Sequence, residues 1–190
     1  NSFIISLHYN KIIIDKKKTN MKKIKWAILG AARVNEKLIP AITKSKQGEL
    51  VAIGSRRDNS AAECVKKYAP EHINNIECYK GFDLILNNKD IDAIYIPLSN
   101  EEHTETALKA IRNKKHVLIE KPMAETSKQA EMLIVEAKNR GLTLMVDHTF
   151  IYTGAVRKIH DLYKKGELGD IQYFDSTRMN LGLYQHDVDV

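Results

Sequence analysis

From Lys23 onward the chain alternates short apolar runs with longer amphipathic segments. A chain that repeats this alternation buries the apolar runs as parallel strands and lays the amphipathic segments over them as crossover helices. The expected class is therefore α/β, with a doubly wound parallel sheet. Strands are expected at 24–29, 50–54, 76–79, 93–96, 116–119 and 142–146. The clearest helix is 127–140, where Ala130, Leu133, Ile134 and Ala137 fall at i, i+3, i+4 and i+7 and Gly141 follows as a stop. Pro40 stands in the first helix. Its missing N–H is tolerable in an opening turn and kinks the helix if that helix begins several residues earlier, and the sequence leaves both readings open. After Val146 the pattern changes to a helix at 155–165, a turn between Gly166 and Gly169, and an alternating stretch, 171–179, expected as an antiparallel strand. Residues 22–146 are thus read as one domain and 147–190 as the beginning of a second, which makes the chain a fragment.

Charge excludes one class of partner. Of the net +6, nearly all sits in the first 23 residues, where Lys11, Lys16, Lys17, Lys18, Lys22 and Lys23 face only Asp15. The remainder is close to neutral and carries no basic stripe with interleaved aromatics, so no nucleic-acid partner is expected. No apolar run reaches the roughly 18 residues of a membrane helix, and a soluble, cytoplasmic protein with no membrane partner is expected. Cys64 and Cys78 form no C-x-x-C pattern and have no histidine pair nearby, so they are expected as reduced structural thiols with no metal site. Residues 1–20 are rich in Asn, Lys and Ile and reverse the order of a signal peptide. Met21 is the expected start, with 1–21 a non-native tail.

Where the first strand meets its helix the chain reads Gly30-Ala31-Ala32-Arg33-Val34-Asn35. A dinucleotide turn is G-x-G-x-x-G, whose glycines allow a tight turn, close approach of the pyrophosphate and helix–strand packing. Gly30 holds the first position, Ala32 the second and Asn35 the third. Gly30, Ala32 and Arg33 are the candidate cofactor contacts here, against the plain alternative of an ordinary glycine in a strand–helix turn. The second strand ends Gly54-Ser55-Arg56-Arg57, with no acid until Asp58. An acid at this place binds the ribose hydroxyls of NAD, whereas a guanidinium beside a serine suits the 2′-phosphate of NADP. Ser55 and Arg56 are therefore read as contacts that favour NADP over NAD, the alternative being two solvated arginines on a loop. The fourth strand runs through Pro97 into Ser99-Asn100-Glu101-Glu102-His103. Asn100 is expected as a helix N-cap with Glu101 and Glu102 against the positive helix end. It also lies at a strand end where ligands of open α/β sheets bind. Pro97, Asn100 and His103 are candidate contacts near the nicotinamide, with a packed histidine the equal alternative for His103.

Glu120-Lys121-Pro122 follows the apolar strand His116-Val117-Leu118-Ile119. Together with the segments at 28–32, Ser55-Arg56, 91–97 and Asn100-x-x-His103, it resembles the glucose–fructose oxidoreductase/inositol dehydrogenase (Gfo/Idh/MocA) family from about Lys22 to the end of the chain. The resemblance implies a Rossmann NAD(P)-binding domain at 22–146, followed by an α/β substrate domain with a large open sheet, in a homo-oligomer when full length. It implies hydride transfer between NAD(P) and a hydroxyl or keto group of a sugar, cyclic polyol, sugar acid or nucleotide sugar. Lys121 is its catalytic residue, expected to lie buried beside the oxidised nicotinamide and to exchange a proton with the reacting oxygen. Glu120 and Lys121 are included among the cofactor contacts, and Pro122 is a candidate for a cis bond.

The family adds a histidine in a D-x-G-x-H-x-x-D-like stretch. His186-Asp187-Val188-Asp189 offers the last part only, because Gly182 and Tyr184 break the pattern upstream. The catalytic histidine is expected beyond Val190, with the fragment inactive by itself and His148 packed at the junction. The alternative to an enzyme is an NAD(P)-binding sensor or regulatory module without turnover.

Overall fold

The computed structural model describes residues 22–177 of the chain. The tail at 1–21 and the stretch holding Gly182, Tyr184 and His186 lie outside the described residues. The chain divides between Asp147 and His148 into two compact units.

The first unit alternates strand and helix as its sequence pattern demands. Its strands are β1 (Ile24–Leu29), β2 (Gly48–Ser55), β3 (Glu77–Lys80), β4 (Ala93–Ile96), β5 (His116–Ile119) and β6 (Leu144–Val146). The helices of the first unit are α1 (Asn35–Thr43), α2 (Ser60–Tyr68), α3 (Asp83–Asn87), α4 (Asn100–Arg112) and α5 (Ser127–Asn139). The strands form one sheet in the order β3-β2-β1-β4-β5-β6, with every pair parallel. This is the doubly wound Rossmann order, whose direction of winding reverses between β1 and β4.

Register explains how the sheet buries both faces. Ile28 lies beside Ile53 and Tyr95, and the three side chains share a face with Ile39 and Ile42 of α1 and Val65 of α2. One residue back, Ala27 lies beside Ala52 and Ile94 on the opposite face, against Ala107 and Ile111 of α4 and Leu133 of α5. Helices on both faces account for strands that read as nearly continuous apolar runs.

Local chemistry sets the helix ends. At α5, Thr126 Oγ1 accepts from Gln129 N–H (3.3 Å) while Gln129 Oε1 accepts from Thr126 N–H (3.0 Å), a reciprocal cap. Pro40 proves to be the sixth residue of α1, where it removes one interior hydrogen bond from a short helix. Asn100 is not a cap: Ser99 occupies that position and Asn100 is the first helical residue.

The second unit holds a 3₁₀ turn (Thr149–Tyr152) and α6 (Gly154–Lys164), with the Arg157 guanidinium 5.5 Å from the centre of the Tyr152 ring. The strand expected at 171–179 is not formed over its described part, 171–177. Alternation suits a strand, but a strand exists only on a ladder, and the described residues offer 171–177 no partner. No helix among the described residues is long and apolar enough to cross a membrane.

Candidate cofactor site

The tips of β1, β2 and β4 and the loops that follow them enclose a groove of about 490 Å³ at the point where the winding reverses. Gly30, Ala31 and Ala32 form one wall, Ser55, Arg56 and Arg57 another, and Pro97, Leu98 and Ser99 a third, with Phe82, Glu101 and Glu102 completing the lining.

The turn after β1 depends on Gly30. Its φ is +128°, and a Cβ there would sit 2.9 Å from Leu98 Cδ2, so a side chain would meet both backbone strain and the groove's apolar wall. Gly30 N–H donates to Gly54 O (2.8 Å), tying the turn to β2. Asn35, fully buried in the place of the third fingerprint glycine, donates through Nδ2 to Gly30 O (2.8 Å) and toward Cys64 Sγ (3.5 Å). A glycine packs closely here; an asparagine instead braces the turn with a hydrogen bond. Cys64 is a buried free thiol, whose pKa burial pushes up, whereas Cys78 is exposed.

At the tip of β2, Ser55 is buried and its Oγ accepts from Arg57 N–H (3.2 Å). Arg57 Nη2 reaches across to Ala31 O (3.3 Å). Arg56 makes a two-pronged pair with Glu102, Nη1 to Oε1 at 2.6 Å and Nη2 to Oε2 at 2.9 Å, and its guanidinium lies 6.0 Å from the centre of the Phe82 ring. Ser99 Oγ also donates to Glu102 Oε2 (2.7 Å). Burial alone raises the Glu102 pKa, but the hydrogen bonds from Ser99 and Arg56 and the charge of Arg56 outweigh it, leaving the carboxyl below its ordinary range.

His103 is packed, the second of the two readings its sequence position leaves open. It is 0% exposed, with Nδ1 2.6 Å from Pro122 O and Nε2 3.0 Å from Leu98 O. Its ring is a strut between the loop after β4 and the loop after β5, with no surface left from which to touch a ligand. Lys121 is exposed rather than buried, and the bond to Pro122 is cis. Glu120 is turned inward, where Oε1 accepts the Tyr95 hydroxyl (2.8 Å) and Oε2 accepts Lys121 N–H (3.2 Å). Of the residues expected from sequence, Gly30, Ala32, Ser55, Arg56 and Pro97 line the groove; Arg33, Asn100, His103, Glu120 and Lys121 do not. Arg57, Phe82, Leu98, Ser99 and Glu102 are among the additions. Ser99-Asn100-Glu101-Glu102 is an S-x-x-E pattern, the one sequence signal that joins Ser99 to Glu102. Among the described residues no cluster of three or more histidine, cysteine, aspartate or glutamate side chains could hold a metal ion.

A glycine turn closed to side chains, a groove at the reversal of winding and a guanidinium at the tip of β2 define a dinucleotide-binding domain of the Rossmann class. The same conclusion follows from comparison. The family described as "Oxidoreductase family, NAD-binding Rossmann fold", Gfo/Idh/MocA, matches residues 24–148, more than half of the chain, and the chain belongs to it. Curated relatives include a dTDP-3,4-didehydro-2,6-dideoxy-alpha-D-glucose 3-reductase of Actinomadura kijaniata, 32% identical over 83% of this chain and 46% of its own length. A 1,5-anhydro-D-fructose reductase of Ensifer adhaerens is 32% identical over 76% of this chain and 42% of its own length. Among solved structures, the 3-ketoreductase KijD10 of A. kijaniata in complex with NADP superposes with a TM-score of 0.69 at 32% identity, covering 80% of this chain and 47% of that one. The chain spans about half the length of the curated relatives it matches.

Proposed function

We propose that this chain serves an NADP-preferring oxidoreductase that moves a hydride between the nicotinamide and a hydroxyl or keto carbon of a sugar, cyclic polyol or nucleotide sugar. The observation that carries the reading is Arg56, a guanidinium at the tip of β2 on the wall of the groove, where the adenosine ribose of a dinucleotide would lie. The KijD10 structures with NADP and the names of the two sugar-related reductases support it.

The residues present fit the cofactor. Gly30, Ala31 and Ala32 line the groove just ahead of α1, where a pyrophosphate would lie, Arg56 suits a 2′-phosphate, and Pro97 and Leu98 supply an apolar wall. When bound, the nicotinamide supplies the hydride. The chain's own part is to hold and move protons. Lys121 Nζ exchanges a proton with the reacting oxygen, and Tyr95 keeps the neighbouring Glu120 carboxylate turned inward by donating to Oε1. His103 acts through others, as a positioning residue that fixes Leu98 and Pro122.

Calorimetric titration of the chain with NADP⁺ and NAD⁺ tests the cofactor half: tighter NAD⁺ binding refutes it. For the catalytic half, Lys121→Ala in the active protein is expected to lower kcat by at least about a hundredfold with cofactor affinity nearly unchanged. Full turnover in that variant removes Lys121 from the mechanism.

A further inference from the structure

We infer that Glu102 is a second determinant of cofactor choice: its carboxylate competes with a 2′-phosphate for Arg56 and accepts the ribose hydroxyls of NAD. This rests on the reading of the groove as a dinucleotide site.

The acid that binds a ribose diol normally ends the second strand. Here that strand ends in serine and two arginines, and the nearest acid in sequence, Asp58, is paired with Lys80 at 2.8 Å. Tertiary structure delivers a carboxylate to the same place from another element. Glu102, in the first turn of α4, meets both terminal nitrogens of Arg56, at 2.6 and 2.9 Å, in the lining of the groove. The two partners are unequally held. Glu102 is fixed by the Ser99 hydroxyl at 2.7 Å and its side chain is 23% exposed, against 63% for Arg56. Arg56 is therefore the half that can turn toward a ligand, while the carboxylate stays.

A phosphate monoester engages a guanidinium through paired N–H groups. Glu102 occupies the two-nitrogen end of Arg56, so a 2′-phosphate must either take those N–H groups from the carboxylate or share the guanidinium with a fixed negative charge. Both lower the affinity for NADP. NAD brings no such charge, and its ribose hydroxyls can donate to the carboxylate without displacing Arg56. Arg56 favours NADP, Glu102 favours NAD, and the ratio of the two affinities reflects their balance.

Glu102→Gln keeps the shape of the side chain and removes the charge. In calorimetric titrations of the whole chain with NADP⁺ and with NAD⁺, Glu102→Gln is expected to bind NADP⁺ about three- to tenfold tighter and NAD⁺ weaker by a similar factor. Arg56→Ala, measured alongside, is expected to lose NADP⁺ affinity and keep that for NAD⁺. If Glu102→Gln leaves the ratio of the two dissociation constants within twofold of the unsubstituted chain, or moves it toward NAD⁺, Glu102 is not a determinant, even though loss of NADP⁺ in Arg56→Ala would still support the groove. If the unsubstituted chain binds neither nucleotide, the dinucleotide reading itself fails and this inference with it.

Discussion

Replacing Tyr95 by phenylalanine removes a single oxygen from β4 and with it the donor to Glu120 Oε1. The Tyr95 ring is completely buried beside Ile28 and stays packed in the variant, so the change isolates the hydroxyl. A hydrogen bond to a charged acceptor contributes about 1.5–3 kcal/mol net. Glu120 is half-buried, and water recovers part of this, leaving an expected loss of about 1–2 kcal/mol. For a chain of this size that is a fall in Tm of roughly 2–8 °C. The loss should depend on pH. Burial first, then the hydrogen bond to Glu120 and the charges of Glu120 and Asp147, push the Tyr95 phenol far above its ordinary range. A folded-state pKa that is raised gives stability fully present below the unfolded value, near 10, and lost as pH rises beyond it. The gap between the unsubstituted chain and Tyr95→Phe should accordingly be constant from pH 7 to 9 and shrink above pH 10. Lys115, whose ammonium burial pushes down, acts in both chains and cancels in the difference. Urea unfolding from pH 7 to 11 measures the gap; equal stability at pH 8, or a gap that does not change above pH 10, would refute this account of the Tyr95–Glu120 pair.

Gly54→Ala places a Cβ 2.5 Å from Gly81 O and 2.9 Å from Ile85 Cδ1, an overpacking expected to cost about 2 kcal/mol and to lower Tm by roughly 4–8 °C in calorimetry. Lys115 is buried at the start of β5's approach, where Nζ donates to Asn88 O and, at 2.8 Å, to Ile91 O. Lys115→Met leaves both carbonyls without that donor, and the urea midpoint should fall by an amount corresponding to about 2–3 kcal/mol.

The strands are legible in the sequence because burial on both faces leaves a local mark: 24–29, 93–96 and 116–119 are apolar runs whose ends coincide with the observed strands. The Gly30 turn was readable for a similar reason, since a strand–glycine–helix junction is contiguous in the chain. The alternation shows the limit of local reasoning over its described part, 171–177, because a ladder needs a partner strand that no alternation can provide.

By itself, then, the sequence determined the element order, the doubly wound class and the glycine turn, all consequences of residues within a few positions of one another. Tertiary structure alone decided the company that the site residues keep. Arg56 and Glu102 lie 46 positions apart, Tyr95 and Glu120 25, and His103 and Pro122 19. Each pair meets only because the order β3-β2-β1-β4-β5-β6 brings the tips of β2, β4 and β5 to one end of the sheet. Short-range forces between side chains act after that ordering has been made, which is why a carboxylate read as a helix-end charge becomes the partner of the arginine across the groove.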